Sequence, residues 1–522
     1  MSRLNTRLTV FGARPLGEVP ARAVRSSRPR TAPHRTAAAV EGRVCGLRRS
    51  RELGPTRFGS IVGLPTSTVH RILTRHRLNR LAWFDRPTTT AATPHSTGPA
   101  HQPRKQPCGS THLGLAGTEN WTETAMPTPS RETAERLDRT DPLSAMRTRY
   151  SLPEGVVYLD GNSLGALSVG VPVAVQTAIV ENWGRHLINV WTDDGWWDVP
   201  LRVGDRVGRL LGARAGQTTV GDSTSVHLFN VLTAAARLRP DRRLLLIEEG
   251  GFPTNAYLAA SVARILGLEV RRVPMPDMAS TLRRLGERVA VVTAGAVDFR
   301  TGELWDVRAV TDTAHDVGAL VVWDLCHAVG ALPLTLDADG VDFAVGCSYK
   351  FLSGGPGAPG FVYAARHHHG AIDQPLCGWH GHADPFAMVP DYEPTTGIGR
   401  LRVGSPNILS MLALDAALDV FDDVEMTAVR EKNVALGDFF IEAVDTHLAG
   451  CGFELVTPRR GDQRGSQVTL RHPEAERIMR AVNKRGVMGD VRPPGLLRFG
   501  FNSLYISYTD IFSAVEALRS CT

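Results

Sequence analysis

Two apolar runs that end in charge constrain this chain more than any other feature. Leu320-Val321-Val322-Trp323-Asp324 is an unbroken β-favouring run closed by an acid. Such a run fits a strand of a parallel sheet covered on both faces. A second run, Val341 to Val345, leads into Gly346-Cys347-Ser348-Tyr349-Lys350, and the glycine-rich Ser353-Gly354-Gly355-Pro356-Gly357 follows. Open α/β sheets bind ligands at the carboxyl ends of their strands. A lysine placed there and desolvated loses its proton and forms a Schiff base with a carbonyl. An acid on a neighbouring end keeps a pyridine nitrogen protonated. Lys350 alone reads equally well as a surface lysine before a loop. Paired with Asp324, it points to pyridoxal phosphate, with the protonated ring as electron sink.

The surrounding pattern agrees. From about 170 to 400, helical and strand periods alternate, which predicts a mainly parallel sheet with helices on both faces. Strands are readable at 243–248, 289–293, 319–324 and 343–347. Beyond 401, helical stretches (409–421, 424–448) precede short strands (467–471, 496–500), as in a smaller α+β domain. Upstream, 132–150 has the period of an amphipathic helix, and Tyr158-Leu159-Asp160-Gly161-Asn162-Ser163-Leu164-Gly165 reads as strand and turn. No internal repeat is present. These limits divide the chain into 1–125, an enzyme N-terminal segment at 126–175, a large cofactor domain at 176–400 and a small domain at 401–522.

Composition separates the first part from the rest. Residues 1–125 hold 20 Lys and Arg against 6 Asp and Glu, a surplus of 14, whereas the remainder holds 39 against 47, a deficit of 8. Residues 1–57 are rich in Arg, Pro, Ala and Thr without a sustained period, the composition of a disordered segment. Within 59–80, Gly63 marks a turn and Thr66 or Ser67 caps a basic helix, as in the second half of a helix-turn-helix. With Leu78 to Pro87 the stretch resembles the N-terminal region of insertion-sequence transposases. It stops abruptly in Thr/Pro/His-rich sequence, so it reads as a translated fragment of neighbouring mobile DNA, with Met126 as the enzyme's own start. Nucleic acid is therefore not expected as a partner.

Over the whole chain, 43% hydrophobic and 21% charged residues are ordinary for a globular protein, and no apolar run approaches the roughly 20 residues of a membrane span. Seven scattered cysteines without a Cys-x-x-Cys suggest neither zinc nor a disulfide framework, and fit a reducing cytoplasm. No metal site is expected: His367-His368-His369 reads as a solvated turn, and the histidines flanking Trp379 as bystanders.

Five stretches occur together in order. They are Tyr158 to Gly165, Gly251-Phe252-Pro253-Thr254, Trp323 to Gly330, Cys347-Ser348-Tyr349-Lys350 with its Gly-Gly-Pro-Gly, and Gly378-Trp379-His380-Gly381-His382. Together they resemble kynureninase, a fold-type-I pyridoxal-phosphate hydrolase of the aspartate aminotransferase-like α/β class, over about 126–522. The resemblance implies hydrolysis of L-kynurenine, and of 3-hydroxykynurenine to some degree, to anthranilate and L-alanine in tryptophan degradation. It implies Lys350 as the Schiff-base lysine and proton carrier, Asp324 as the ring-nitrogen partner and Tyr349 as a proton carrier. Thr224 and Ser225, ahead of a helix running to Leu238, become the phosphate cradle, because helix N-termini leave N–H groups unpaired. Tyr349 and Trp379 complete it. Phe252 stacks on the ring, and Pro253, Thr254 and His327 join the cofactor site. Where the family has an acid this chain has Asn255, which alters the tuning of the cofactor.

Arg498, inside the apolar Leu496 to Phe501, matches the arginine that clamps the substrate carboxylate; a buried guanidinium needs a partner, and substrate is one. The resemblance further implies a homodimer with shared sites, in which Trp379 and Ser405 reach the neighbour's phosphate. Trp191 and Gly404 form an apolar wall beside the substrate ring, unless Trp191 simply joins Trp196 and Trp197. Two other readings exist on the residues alone. A class-V aminotransferase-like lyase or desulfurase would use Cys377, and a transcription regulator would join the basic fragment to an aminotransferase-like sensor.

Overall fold

The computed structural model describes residues 128–522. The basic extension expected over 1–125, with its helix-turn-helix-like fragment at 59–80, lies outside the described residues. The main sheet has seven strands: β1 (Thr218–Gly221), β2 (Leu244–Glu248), β3 (Glu269–Val273), β4 (Val289–Gly295), β5 (Leu320–Asp324), β6 (Phe343–Cys347) and β7 (Gly360–Ala364). They lie in the order β1-β7-β6-β5-β4-β2-β3. The five strands from β6 to β3 are parallel, and β7 runs antiparallel to both its neighbours.

The apolar runs are continuous because both faces are covered. Successive strand side chains point to opposite faces. Leu244 and Leu246 accordingly join one core with Val321 and Trp323, while Leu245 and Ile247 join the other with Leu320 and Val322. The second core is closed by Leu228, Val231 and Ala235 of the helix Thr224–Arg237 and by Ala259 and Val262 of the helix Pro253–Leu266. Trp323 is fully buried and donates its Nε1–H to Thr311 Oγ1 at 3.2 Å, so its one polar group is satisfied. Truncating such a side chain to Ala costs about 3–5 kcal/mol.

A second, antiparallel sheet orders β8 (Glu454–Leu455), β9 (Gln467–Arg471), β10 (Asp490–Arg492) and β11 (Leu496–Gly500) as β8-β9-β11-β10. Phe440 of the helix Met426–His447 packs its ring 5.2 Å from Phe499 and 5.6 Å from Phe501.

Two sequence expectations need correction. The helix expected over 132–150 is broken: an α-helix covers Arg131–Thr140, and a separate 3-10 turn covers Ser144–Arg149. Pro142 has no N–H to continue the ladder. Asp141 turns inward instead, accepting from Leu143 N–H at 2.9 Å and pairing with buried Lys432 Nζ at 2.6 Å. The histidine run also differs. Of the three histidines in the 3-10 turn Arg366–Ala371, His367 is exposed and His368 and His369 are buried, His368 donating to Asp342 and His369 to the Ala364 carbonyl.

Candidate active site

The strand register brings the carboxyl ends of β2, β4 and β5 into one row. Gly295 pairs with Asp324 across β4 and β5, and Glu248 Oε2 accepts the Gly295 N–H at 3.0 Å. Beyond β6, the chain carries Tyr349 and Lys350 to the same edge. Together these ends line a cleft of about 700 Å³, its open mouth included.

Lys350 Nζ lies 2.8 Å from His327 Nε2. Burial, and then the Lys350 charge, hold the His327 imidazole well below its ordinary range, so the ring is neutral and accepts from the lysine. Its other nitrogen, Nδ1, is buried without a partner. The Lys350 peptide is itself fixed. Gly165 N–H donates to the Tyr349 carbonyl at 2.8 Å, and a Cβ at Gly165 would fall 2.2 Å from the Lys350 carbonyl oxygen. The early Tyr158 to Gly165 turn is thus the floor under the lysine.

Asp324 Oδ1 accepts from the Cys326 N–H and Oδ2 from Asn255 Nδ2, each at 2.9 Å. Asn255 reaches it from the first turn of the helix Pro253–Leu266, whose fixed start is Pro253 behind Phe252. Thr224 opens the helix Thr224–Arg237, with Ser225 beside it and Ser223 as cap. Strand β7 packs on that helix start so closely that a Cβ at Gly360 would sit 2.6 Å from the Thr224 nitrogen.

Thr224, Ser225, Phe252, Thr254, Asn255, Asp324, His327, Tyr349 and Lys350 therefore line one cleft. They suit pyridoxal phosphate by their chemistry. Unpaired helix N–H groups and hydroxyls stand at one end, a carboxylate at another, an aromatic ring and a lysine between, and His327 carries an unused polar atom. Burial pushes the Tyr349 phenol above its ordinary value, and the neighbouring Cys347 thiol adds to this. It enters any proton transfer as a donor.

Other expected residues lie apart. Trp379 meets Trp197 edge to face at 5.4 Å, and Trp191 lies 6.2 Å from Trp196 and 6.4 Å from Trp197. Gly404 and Ser405 line a separate small pocket with Asp222, His227 and His380. Arg498 touches the cleft indirectly, donating to the carbonyl of lining residue Phe299. Its expected need for a partner is already met inside the chain. Nε donates to Asp490 Oδ1 at 2.7 Å, and one terminal nitrogen donates to Asp490 Oδ2 at 2.6 Å and to Ser163 Oγ at 3.1 Å. Arg492 also reaches Asp490, at 2.8 Å. Burial, the largest influence, raises Asp490, yet the hydrogen bonds and charge of Arg498, with the Arg492 charge and the Ser163 hydroxyl, together outweigh it and hold the carboxyl below its usual range.

Glu248 was not foreseen. It is buried in the cleft, and burial raises its carboxyl to about 7 despite the Gly295 N–H. The available signal was the one used for Asp324, an acid closing an apolar strand. Asp490 carried no such signal, since β10 is too short to show a pattern.

Known proteins place this geometry. A family model described as "Kynureninase C-terminal domain" matches residues 429–518. Kynureninase of Deinococcus radiodurans is 45% identical over 403 residues, covering 76% of this chain and 97% of the relative. Kynureninase of Burkholderia pseudomallei is 43% identical over 394 residues, covering 75% and 95%. Among solved structures, the cysteine desulfurase CsdA of Escherichia coli superposes with a TM-score of 0.63 at 19% identity, covering 73% of this chain and 98% of that one. A mutant of C-DES with glycine covalently linked to its PLP cofactor superposes with a TM-score of 0.63 at 14% identity, covering 72% and 99%. The structural likeness establishes the fold-type-I architecture, and the sequence relatives establish the family: this chain belongs to the kynureninases.

Proposed function

We propose that the chain hydrolyses L-kynurenine to anthranilate and L-alanine with pyridoxal 5'-phosphate held in the Lys350 cleft. The observation that carries this reading is the convergence of Lys350 on His327 and of Asn255 on Asp324 at neighbouring strand ends. When bound, pyridoxal phosphate supplies an electron sink next to the substrate's amine-bearing carbon.

The chain's own residues do the rest. Thr224, Ser225 and the helix start behind them would hold the phosphate. The Asp324 carboxylate, oriented by Asn255 and the Cys326 N–H, would be the counter-ion of the ring nitrogen, and Phe252, with Pro253 and Thr254 behind it, would cover the ring. Lys350 takes the α-proton, and His327 keeps Nζ in place while the proton moves on and off it. Water adds to the γ-carbonyl, and breaking the Cβ–Cγ bond frees anthranilate. Tyr349, a phenol held in its protonated form, returns a proton to the remaining alanyl carbon. Arg498 would receive the substrate carboxylate on the edge not engaged by Asp490, where the anion displaces the Phe299 carbonyl and the Ser163 hydroxyl.

We further propose that a second copy completes the site. Trp379, Gly404 and Ser405 lie outside the cleft, and the exposed apolar side chains Leu187, Ile188, Phe386 and Met388 supply a surface for a second subunit. Mixed Lys350→Ala and Trp379→Ala subunits then regain activity in hybrid dimers; no regain after demonstrated exchange rules this out. The desulfurase reading is not favoured, since Cys377 lies outside the cleft with its thiol turned to the Gln374 carbonyl. Among the described residues no helix is long and apolar enough to cross a membrane. We place the activity in the cytoplasm, where the buried Cys347 thiol stays reduced.

The decisive experiment is an absorption titration of the full chain loaded with cofactor. Kynurenine should perturb the cofactor band and yield anthranilate fluorescence; a silent spectrum with no anthranilate refutes the assignment.

A further inference from the structure

The amino ends of β5 and β6 carry a side-chain cluster that the reaction does not use. Asp342, immediately before β6, is buried. Its Oδ2 is held from two sides, by the Val321 N–H at 2.9 Å and by His315 Nε2 at 2.8 Å. That fixes the carboxylate plane and turns Oδ1 toward the 3-10 turn after β7. His368 Nε2 stands 2.7 Å from Oδ1, its ring stacked on Phe343 at 5.0 Å and 16°. His367 Nε2 stands 3.9 Å from the same oxygen. The last distance is too long for a hydrogen bond. It lies within a few tenths of an ångström of the roughly 3.3–3.6 Å between two tetrahedral ligands of one cation, each bonded at roughly 2.0–2.2 Å.

We propose that Asp342, His367 and His368 form a binding site for a divalent transition cation of the zinc class. The three ligand atoms lie within 4.8 Å of one another. Two imidazoles and one carboxylate match the nitrogen and oxygen preference of zinc, with water as the fourth ligand. His315 and the Val321 amide are the outer partners that ligating carboxylates require for orientation. His367 faces solvent and gives the ion its route in, while His368 and Asp342 close the inner side. Small opposite shifts suffice: His368 draws back about half an ångström as its hydrogen bond is replaced by ligation, and His367 moves closer. The site lies at the opposite end of the strands from Lys350, so its effect is mechanical. It ties the 366–371 turn to the β5–β6 pair.

The test uses the full-length holoenzyme, stripped with a chelator and titrated calorimetrically with zinc chloride alone. One equivalent per chain is expected to bind, with the melting temperature rising by about 2–5 °C at a hundredfold excess over Kd. His367→Ala, a surface change that leaves the fold intact, should remove that equivalent or weaken it at least tenfold and abolish the melting shift. Removal of one equivalent among several supports the site equally. Absence of zinc uptake, or uptake unchanged in His367→Ala, overturns it.

Discussion

Asp324 and Asp342 stand at opposite ends of adjacent strands and have been given opposite surroundings. Asp342 is enclosed: a backbone amide and His315 hold one oxygen, and His368 reaches the other. Asp324 accepts one amide and one side chain and opens toward the cleft. Its neighbours there are also left incomplete, His327 with an unpartnered nitrogen and Glu248 buried with a single donor. One end of the sheet draws chain groups in around its acid and leaves room for no more than an ion, and the other stays open to a ligand of cofactor size, from the same residue types.

The sharpest way to break this contrast is to substitute at both ends. Lys350→Ala should lower turnover by about 10³-fold or more, the scale of lost acid–base catalysis, and leave the melting temperature within a few degrees. Asp342→Asn should cost about 1–3 kcal/mol in denaturant unfolding, because an amide NH2 in place of one oxygen leaves a buried donor without its acceptor. A stable Asp342→Asn protein, or a collapsed Lys350→Ala protein, would erase the distinction.

Glu248 tests the binding end by pH. Its folded carboxyl titrates near 7, above the ordinary 4.5 of the unfolded chain. Below 4.5 both states are protonated and nothing is lost. As pH rises from 4.5 toward 7 the unfolded chain ionises first, and stability falls by about 3 kcal/mol in total. Glu248→Gln should therefore melt higher than the parent at pH 8 and equal it at pH 4.5. Equal melting at both values would mean that the carboxylate has an unrecognised partner.

Arg498 crosses between the sheets, from β11 to the cleft wall at Phe299. Arg498→Lys keeps the charge and loses the fork, so KM should rise by about 10- to 150-fold, the value of 1.5–3 kcal/mol in charged hydrogen bonds, with kcat less affected. An unchanged KM would confine Arg498 to holding Asp490. The smallest effect concerns the substrate ring. With Trp191 and Gly404 as an apolar wall, a ring hydroxyl is left unpaired at about 1–3 kcal/mol, a handicap of about 5- to 150-fold in kcat/KM. Equal values for kynurenine and 3-hydroxykynurenine would leave Trp191 as part of its aromatic cluster only.

The centre of the fold was legible and its margins were not. Strands β2, β4, β5 and β6 announce themselves as apolar runs because both their faces are buried, and β6 begins and ends where the pattern places it. Edge strand β3, Glu269-Val270-Arg271-Arg272-Val273, hides because its rim is solvated. β1 is only Thr-Thr-Val-Gly, and β7 is masked by the Gly/Pro-rich turn before it. In the site, Lys350 and Asp324 could be read from strand ends. The Asn255 bond to Asp324 and the Asp490 bond to Arg498 could not, since each joins segments that approach only after folding. The same blindness applies to Lys432, whose partner Asp141 lies almost three hundred residues earlier.

The place of β7 has a consequence for how the chain is made. Thr218 of β1 pairs with Tyr363 of β7, so β1 has no partner until 145 further residues have been synthesised. At about 5–20 residues per second that is a wait of roughly 7–30 s. Throughout it, β1 and the helix start at Thr224 are without the strand that anchors them. The phosphate cradle thus follows the first strand of the main sheet to be translated and is among the last parts of that sheet assembled, and the nascent chain gains a competent cofactor site only after the hairpin of β6 and β7 has closed.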